Sequence, residues 1–325
     1  MRANGMKYAA AGAALALLLG AGAIGGAARA EDMPKVVLGM SGWTGFAPIT
    51  LGVEKGIFKK NGVDLSIKKM PTQARHVAMA AGEVQAIATT VDTHITYAAA
   101  NVPVTQVLVL DSSTGGDGIL AKDTIKTFAD LKGKTVGVDN PGAVSDFWFR
   151  YLLLKNGLKM ADVKVTNLGP QPAANAFAAG QVDAAVTYEP YMSGALKQTK
   201  GAHLLITSKE TPGVIIDTLA VQPEFIKKNP QVVQAIIRSW FEALDWAKQN
   251  PAEANKIMGA DVKQTAEDFA ASAAQVTWYD KVANNNYFTY TMPGFMKDAA
   301  NILLDAGVIK KIPDLKVMAD GGFLN

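Results

Sequence analysis

Polar, glycine and aromatic residues that could contact a small molecule concentrate in five short loops, each between a predicted strand and a predicted helix. At the carboxyl ends of parallel strands, helix N-termini point backbone N–H groups at a bound ligand, and anions are stabilised there. This shared position, rather than any single motif, marks the loops as candidate ligand contacts. They comprise residues 42–46, 72–75, 89–92, 141–145 and 188–191.

Two of these loops combine glycine with groups suited to different parts of an organic molecule. Gly142 allows a close approach of the backbone, and Ser145 adds a hydroxyl to the positive end of a predicted helix, which favours an anion. An ordinary capped helix start is the alternative. Trp43 and Phe46, with Thr44 between them, suit a flat or aliphatic ligand body, unless the tryptophan packs into the core.

The charged residues of the loops predict a second kind of contact. Asp92 and Glu189 would each pair with an amine or another N–H donor, or else cap their helices. Arg75 could hold a sulfonate or carboxylate through two parallel hydrogen bonds, or lie on a solvated helix face. Thr90 and Tyr191 complete the candidate ligand-binding residues.

Residue patterns that indicate catalysis are lacking in the sequence. His76, His94 and His203 are scattered, and none has a His, Glu or Asp at metal-ligand spacing on a shared helix face. No G-x-S-x-G or G-x-x-x-x-G-K-[ST] motif occurs. The chain has no cysteine, which excludes disulfides, thiolate metal sites and a cysteine nucleophile. We therefore predict no catalytic residues, no metal site and no cofactor.

The first thirty residues have the pattern of an export signal. Arg2 and Lys7 precede an apolar run over residues 8–24, and residues 28–30 read Ala-Arg-Ala, which predicts cleavage before Glu31. A membrane anchor is the alternative, but the run is short for a span of about 20 strongly apolar residues. We expect a periplasmic protein without a lipid anchor, because no cysteine is available at the cleavage site.

The charge balance gives no indication of a polyanionic partner. Cleavage would lower Lys+Arg from 32 to 29, against 29 Asp+Glu, so the formal net charge falls from +3 to about zero. No run of like charges is present in the sequence. Neither nucleic acid nor an anionic membrane surface is therefore predicted as a partner.

Short strands alternate with helical stretches, and the pattern occurs twice. A predicted strand at residues 84–88 follows Ala-Ala-Gly and precedes a polar loop ending in a carboxylate; 98 positions later, residues 182–186 repeat this arrangement. A glycine that ends a helix before a strand is a common C-cap. The chain is therefore predicted to be an α/β protein made of two βα lobes.

Two β-branched stretches are predicted to cross between the lobes and form a two-strand hinge. The first lobe would comprise residues 31–117 and 218–325, the second residues 118–217, with a ligand cleft between them. Asp111 and Asp117 flank a glycine-rich crossing and would fix the hinge through turn hydrogen bonds, and Asp217 is assigned to the second crossing. The mainly helical residues 223–325 would return to pack on the first lobe.

Several segments resemble the nitrate/sulfonate/taurine family of periplasmic solute-binding proteins. They are residues 43–48 (WTGFAP), 54–62 (EKGIFKKNG), 80–84 (AAGEV), 130–137 (DLKGKTVG) and 180–191 (GQVDAAVTYEPY). They lie in the family's order and spacing over roughly residues 35–220. The resemblance implies a type II periplasmic binding protein fold that closes on its ligand by hinge motion and serves the permease of an ABC importer in the inner membrane.

The resemblance also maps the family's ligand loops onto this chain, at Trp43, Thr44, Thr90, Asp92, Gly142, Ser145 and Glu189. Sulfonate-binding relatives often have a Ser/Thr-rich segment after the second-lobe strand. Here Pro141, Ala143 and Val144 leave Ser145 as the hydroxyl of that segment, which disfavours a strongly held sulfonate.

The ligand expected first is taurine or an alkanesulfonate. Nitrate, bicarbonate, a pyrimidine precursor and a small amine are the alternatives within the family. Two other hypotheses are a ligand sensor that docks on a membrane receptor and an enzyme on the same fold, although the absent cysteine and the export signal disfavour the enzyme. A monomer is expected.

Overall fold

The computed structural model describes residues 33–324. The predicted export signal and its cleavage site lie outside the described residues. None of the helices within the described residues is both long enough and apolar enough to cross a membrane.

Eleven strands form two separate sheets in the described part of the chain. The strands are β1 (Lys35–Met40), β2 (Asp64–Lys69), β3 (Ala86–Thr90), β4 (Thr105–Ser113), β5 (Asp117–Ala121), β6 (Thr135–Val138), β7 (Lys164–Asn167), β8 (Ala184–Tyr188), β9 (His203–Thr207), β10 (Ile216–Val221) and β11 (Val276–Trp278). One sheet has the order β11-β4-β10-β3-β1-β2 and the other the order β7-β6-β8-β5-β9. We call the parts of the chain around the six-stranded and five-stranded sheets lobe 1 and lobe 2.

Helices cover the faces of both sheets. They are α1 (Ala47–Glu54), α2 (Ile57–Lys60), α3 (Thr72–Ala80), α4 (Val91–Ala99), α5 (Val144–Lys155), α6 (Pro170–Ala178), α7 (Tyr191–Gln198), α8 (Pro223–Lys228), α9 (Pro230–Gln249), α10 (Pro251–Asp261), α11 (Ala266–Ala273), α12 (Lys281–Asn286) and α13 (Met292–Asp305). Pro230 and Pro251 each occupy the first turn of a helix, as predicted.

The two sheets share one topology, which confirms the internal repeat. In each, three parallel strands (β2-β1-β3 or β7-β6-β8) continue into an antiparallel strand, β10 or β5. The third parallel strands, β3 and β8, are buried along their whole length and begin 98 positions apart, at Ala86 and Ala184. Burial on both faces explains why the first three residues of each strand are all apolar rather than alternating with polar ones.

The antiparallel strand of each sheet enters from the other lobe. The chain leaves lobe 1 after β4 and begins β5 in lobe 2 at Asp117, then leaves lobe 2 after β9 and begins β10 in lobe 1 at Ile216. Strand β10 thus starts two residues before the predicted boundary at 218. Asp217 lies in the sheet of lobe 1.

The C-terminal helices pack on lobe 1, because their apolar faces complete its core. Val233 and Trp240 of α9 are buried in one cluster with Val36 and Leu38 of β1. On the other face of the sheet, Leu303 of α13 is buried in a cluster with residues of α4. A π-helical turn over Tyr287–Thr291 joins α12 to α13.

Two strand ends differ from the sequence prediction. Strands β3 and β8 end at Thr90 and Tyr188, two residues later than expected, because β-branched and aromatic residues continue the strand and β10 pairs with β3 as far as Thr90. The first residues of the predicted loops are therefore strand residues, whose side chains are held by the sheet.

Candidate functional site

A cleft opens between the lobes at the carboxyl ends of the parallel strands. Its outer part, which we call the outer cleft, is a cavity of about 410 Å³. One wall comes from residues 41–42 and 69–75 of lobe 1, and the other from residues 139–140 and 169–172, Tyr188 and Tyr191 of lobe 2. Ligand sites of open α/β sheets lie at this edge.

A smaller cavity of about 20 Å³, the inner chamber, lies deeper between the lobes. Ser41, Thr72, Arg75 and Tyr188 line both cavities, so the two are adjacent. The other residues that line the inner chamber are Trp43, Phe46, Thr89, Thr90, Asp117, Val144, Ile215 and Asp217.

Arg75 stands at the junction of the two cavities. It lies in α3 with 2% of its surface exposed, so the solvated position considered for it is wrong. Its guanidinium donates to the carbonyl of Ala88 and, at 2.7 Å, to the hydroxyl of Thr72. Burial lowers the pKa of Arg75, an effect opposed by the nearby Asp217 and other acidic groups. The sheet thereby fixes a cation at the wall of the cleft.

Aromatic rings form another side of the inner chamber. Trp43 and Phe46 of lobe 1 and Tyr188 of lobe 2 are buried in one apolar cluster with the core of lobe 1, and all three also line the chamber. Trp43 therefore both packs in the core and contributes to the cleft. The indole N–H of Trp43 donates to Asp111 Oδ1 at 3.0 Å, and its ring meets that of Tyr188 edge-on at 5.5 Å. These contacts hold the rings in one orientation.

Four aspartates are buried around the inner chamber. Asp117 and Asp217 line it, while Asp92 and Asp111 lie behind its wall, and each is at least nine-tenths buried. Burial raises the pKa of Asp92, Asp111 and Asp117 to about 7. It raises that of Asp217 well above the usual range, with repulsion from Asp111 adding to the effect. Burial thus favours the protonated, neutral form of these four carboxyl groups.

The three predicted hinge aspartates occupy the strands that cross between lobes. Asp117 begins β5, where its own N–H donates to Ser113 Oγ at 3.0 Å. Asp111 is inside β4 rather than in the turn and is paired in register with Asp217 of β10. The expected turn hydrogen bond of Asp111 is therefore wrong. Strand β4 extends to Ser113, and the carboxylate of Asp111 accepts a hydrogen bond from the indole N–H of Trp43 instead.

Half of the ten predicted ligand-binding residues line the cleft. Trp43, Phe46, Arg75, Thr90 and Tyr191 do so. The structure places Thr44, Asp92, Gly142, Ser145 and Glu189 outside both cavities.

Two of these outlying residues have clear local roles. Glu189 accepts hydrogen bonds from Ser193 Oγ at 2.6 Å and, across the lobes, from Gln275 Nε2 at 3.3 Å. Gly142 has φ +87° and faces Thr96 of the opposite lobe.

The remaining three are fully buried. Asp92 lies in the first turn of α4, and its expected role as an N-cap is wrong, because Thr90 occupies that position. Thr44 and Ser145 each bury a hydroxyl that has no hydrogen-bond partner in the described structure.

Several cleft residues were not selected from the sequence. Ser41, Asp139 and Tyr188 directly follow or end parallel strands, so their position at strand ends was the available indication. Lys69 contributes a second cation at the mouth of the outer cleft, where it pairs with Asp261 at 2.7 Å.

The expectation that the histidines are scattered is wrong for two of them. His76 of α3 and His94 of α4 are fully buried, with ring centroids 5.6 Å apart. Burial lowers the pKa of His76 to about 2 and that of His94 to about 3, so both are neutral near pH 7. Within residues 33–324, no three His, Cys, Asp or Glu side chains are grouped so as to hold a metal ion.

Comparison with known proteins gives a consistent result. Residues 43–254 match the family model described as NMT1/THI5 like. A binding protein of Brucella abortus (strain 2308) is 27% identical over 244 residues, which cover 73% of this chain and 74% of that protein. The taurine-binding periplasmic protein of Escherichia coli (strain K12) is 28% identical over 200 residues, or 59% of this chain and 60% of that protein.

The fold is also that of a solved structure. The periplasmic aliphatic sulphonate binding protein SsuA from Escherichia coli superposes with a TM-score of 0.72 at 21% identity, covering 87% of this chain and 91% of that one. The predicted periplasmic binding protein fold and the resemblance to the nitrate/sulfonate/taurine family are thereby confirmed. The chain belongs to the NMT1/THI5-like family, whose members similar to it are named as taurine-, sulfonate- and nitrate-binding proteins.

Proposed function

We propose that this chain is the periplasmic solute-binding component of an ABC importer. It captures a small polar organic solute by closing its two lobes and delivers it to the permease in the inner membrane. A single observation carries the proposal: the outer cleft, of about 410 Å³, has walls from both lobes and a buried, pre-oriented Arg75. A cavity of this size is typical of a small-molecule site.

The two-strand connection supports a closing motion. Only the stretches after β4 and after β9 join the lobes in the described chain, and both are short. A solute that contacts both walls stabilises the closed arrangement, because those contacts exist together only when the lobes approach. The chain acts here as a binding protein and not as an enzyme.

The ligand we propose first is taurine or a related sulfonate. Arg75 and Lys69 supply positive charge at the outer cleft for the anionic end, and the aromatic walls suit an alkyl body. Nitrate, bicarbonate, a pyrimidine precursor and small amines are the alternatives to be tested in parallel.

A thermal-shift screen tests the proposal. Mature protein is freed of bound solute by unfolding and refolding, then melted with each candidate. A ligand at about 100 times its dissociation constant adds about 2.7 kcal/mol of stability. At least one clear shift is expected, confirmed by titration calorimetry. Silence of every candidate, together with no solute released from freshly purified protein, would refute the binding function.

Closure can be measured separately. Because the chain has no cysteine, paired labels can be introduced at exposed positions of the two lobes, for example Lys164→Cys and Lys256→Cys. A solute that shifts the melting temperature should change the distance between the labels. An unchanged distance would refute the closing motion while leaving binding intact.

A further inference from the structure

A further cavity lies on lobe 1 alone, and none of its lining residues also lines the outer cleft or the inner chamber. Its volume is about 720 Å³, larger than that of the outer cleft. One wall is a face of the helical stretch from Asn285 to Lys297, and the other is formed by residues 315–322. We call this cavity the distal groove. Its size is typical of a small-molecule site.

The distal groove lies at the end of lobe 1 that faces away from the lobe crossings. Ala319 lines the groove and forms a β-bridge with Gln106, near the start of β4. The other end of β4, at Ser113, is where the chain leaves for lobe 2. At about 3.3 Å per residue, the strand from Gln106 to Ser113 is about 23 Å long. A molecule in the groove therefore occupies a site separate from that of the solute.

The floor of the groove is an open edge of the core of lobe 1. Met292 and Met296 of α13 are buried there, and Phe288 and Leu315 pack against the same cluster with part of their surfaces exposed. Methionine side chains are flexible and polarisable, so this floor can adapt to an apolar chain. From Phe288 to Met296 the helix is about 12 Å long, which matches an extended alkyl chain of about eight to ten carbons.

The helical wall of the groove contains an irregular turn. Tyr287–Thr291 form the π-helical turn, and Phe288 and Thr289 of this turn line the groove. Such turns are rare and frequently occur at functional sites. On the opposite wall, a Cβ built on Gly321 would lie 3.1 Å from Cβ of Phe288. The π-helical turn is therefore held closely against the second wall.

The charged side chains that line the groove are both basic. Lys297 on one wall and Lys316 on the other are exposed, and no Asp or Glu of the described chain lines the groove. Within residues 33–324, neither lysine forms an ion pair. The nearby Asp314 and Asp320 accept hydrogen bonds from the backbone N–H groups of Lys316 and Gly322. Two lysines beside an apolar floor favour an anionic group attached to an apolar body.

We propose that the distal groove binds a free medium-chain fatty-acid anion. The alkyl chain lies on Met292 and Met296, and the carboxylate lies between Lys297 and Lys316. This inference goes beyond the proposed function and does not depend on it, because the groove and the cleft share no lining residue.

Decanoate is the probe, and three related compounds each change one of its properties. Decanol removes the charge, decyltrimethylammonium reverses it, and propionate shortens the chain. Decanoate should bind at least about tenfold more tightly than each of them in titration calorimetry. Carbon-13 labels on the methionine methyl groups locate the site. The signals of Met292 and Met296 should shift, and that of Met70, which lines the outer cleft, should not.

Charge reversal beside the groove gives a second readout. Lys297→Glu combined with Lys316→Glu should lower the affinity for decanoate at least about tenfold. The melting temperature should change little, because both side chains are exposed. Lys310→Glu combined with Lys311→Glu is the matched control, since it changes the net charge equally at exposed positions outside the groove. The control should keep the affinity within about threefold of that of the parent protein.

The outcomes that would overturn the proposal are distinct. Equal binding of decanoate and decanol would show an apolar groove without preference for an anion. A shift of the Met70 signal, with those of Met292 and Met296 unchanged, would place decanoate in the cleft. No binding of decanoate, or undiminished affinity after reversal of both lysines, would also refute the site. Binding of phosphatidylglycerol vesicles without binding of free decanoate would assign the groove to a membrane surface. None of these results bears on the proposed function, which is tested with the cleft solute in the same samples.

Discussion

Gly142 offers a direct test of lobe closure, because an added methyl group there would touch the opposite lobe. The residue lies between β6 and α5 in lobe 2 and has φ +87°. A Cβ built on it would lie 2.5 Å from Cγ2 of Thr96, in α4 of lobe 1. Gly142→Ala therefore adds a steric conflict to the closed arrangement that an opened arrangement would relieve.

The substitution has two separable costs. A left-handed backbone conformation costs a non-glycine residue about 1 kcal/mol, whether the lobes are closed or open. Overpacking at a close contact costs about 1–3 kcal/mol, and here it applies only when the lobes meet. A penalty of about 2 kcal/mol on closure corresponds to a roughly 30-fold loss of solute affinity.

Gly157 supplies the matched control. It lies in the same lobe with φ +69°, and a Cβ there would meet nothing within 4 Å. Gly157→Ala should therefore show the backbone cost alone and leave the affinity within about threefold of the parent protein. Combining Gly142→Ala with Thr96→Ala removes Cγ2 and should restore most of the affinity.

Calorimetric titration with the solute selected in the screen measures the affinity, and the label pair at Lys164 and Lys256 measures closure. Parental affinity in Gly142→Ala would show that the lobes need not approach as closely as they do in the structure. Failure of Thr96→Ala to restore binding would place the defect in the backbone of lobe 2. Either result would refute the argument that this contact limits closure.

Three further predictions follow from buried groups at the cleft. Burial raises the pKa of Asp92 to about 7, above that of the unfolded chain, so the stability it contributes is present at low pH and is lost as the pH rises through 7. Unliganded protein should lose about 2 kcal/mol from this group between about pH 5.5 and 8, measured by urea unfolding. Asp92→Asn should remove about this part of the pH dependence and leave the parts due to Asp111, Asp117 and Asp217. An unchanged profile contradicts the assignment. Arg75→Met should lower the free energy of unfolding by about 2–4 kcal/mol, because the carbonyl of Ala88 and the hydroxyl of Thr72 lose a charged donor. A variant that is as stable as the parent and binds anions normally would exclude the role given to the guanidinium in the cleft. Trp43→Ala and Glu189→Ala should each weaken solute binding at least tenfold, about 1.4 kcal/mol. Trp43→Ala removes part of the chamber wall, and Glu189→Ala removes the hydrogen bond to Gln275 across the lobes. If both variants bind the solute normally, the cleft has been misplaced.

The repeat and the ligand edge of the fold could be predicted because they depend on local patterns. Ala86 and Ala184 each begin a strand that follows a helix ended by a glycine, and this order of helix, glycine and strand can be recognised in the sequence. The same patterns placed Trp43, Arg75 and Tyr191 at the ends of βα units. Such residues need only the rule that parallel strands share a carboxyl edge.

The rest of the site depends on strand neighbours that are distant in sequence. Asp111 and Asp217 become partners because β10 crosses back into lobe 1 and pairs with β4. His76 and His94 meet because α3 and α4 flank the same strand, although neither spacing nor helix face predicts it. Local propensity contains no information about which strand crosses into which sheet, so the acidic group could not be assembled beforehand.

The two crossings between the lobes also explain why buried acidic residues lie at the predicted hinge. Asp117 is the first residue of β5 and Asp217 the second of β10, so the two carboxylates that line the inner chamber lie at the two points where the chain passes between lobes. Burial disfavours the charged form of both carboxyl groups, and this raises their pKa values. The protein is therefore less stable at a pH where they must be ionised. Residues that break the rule against buried charge are expected at functional sites.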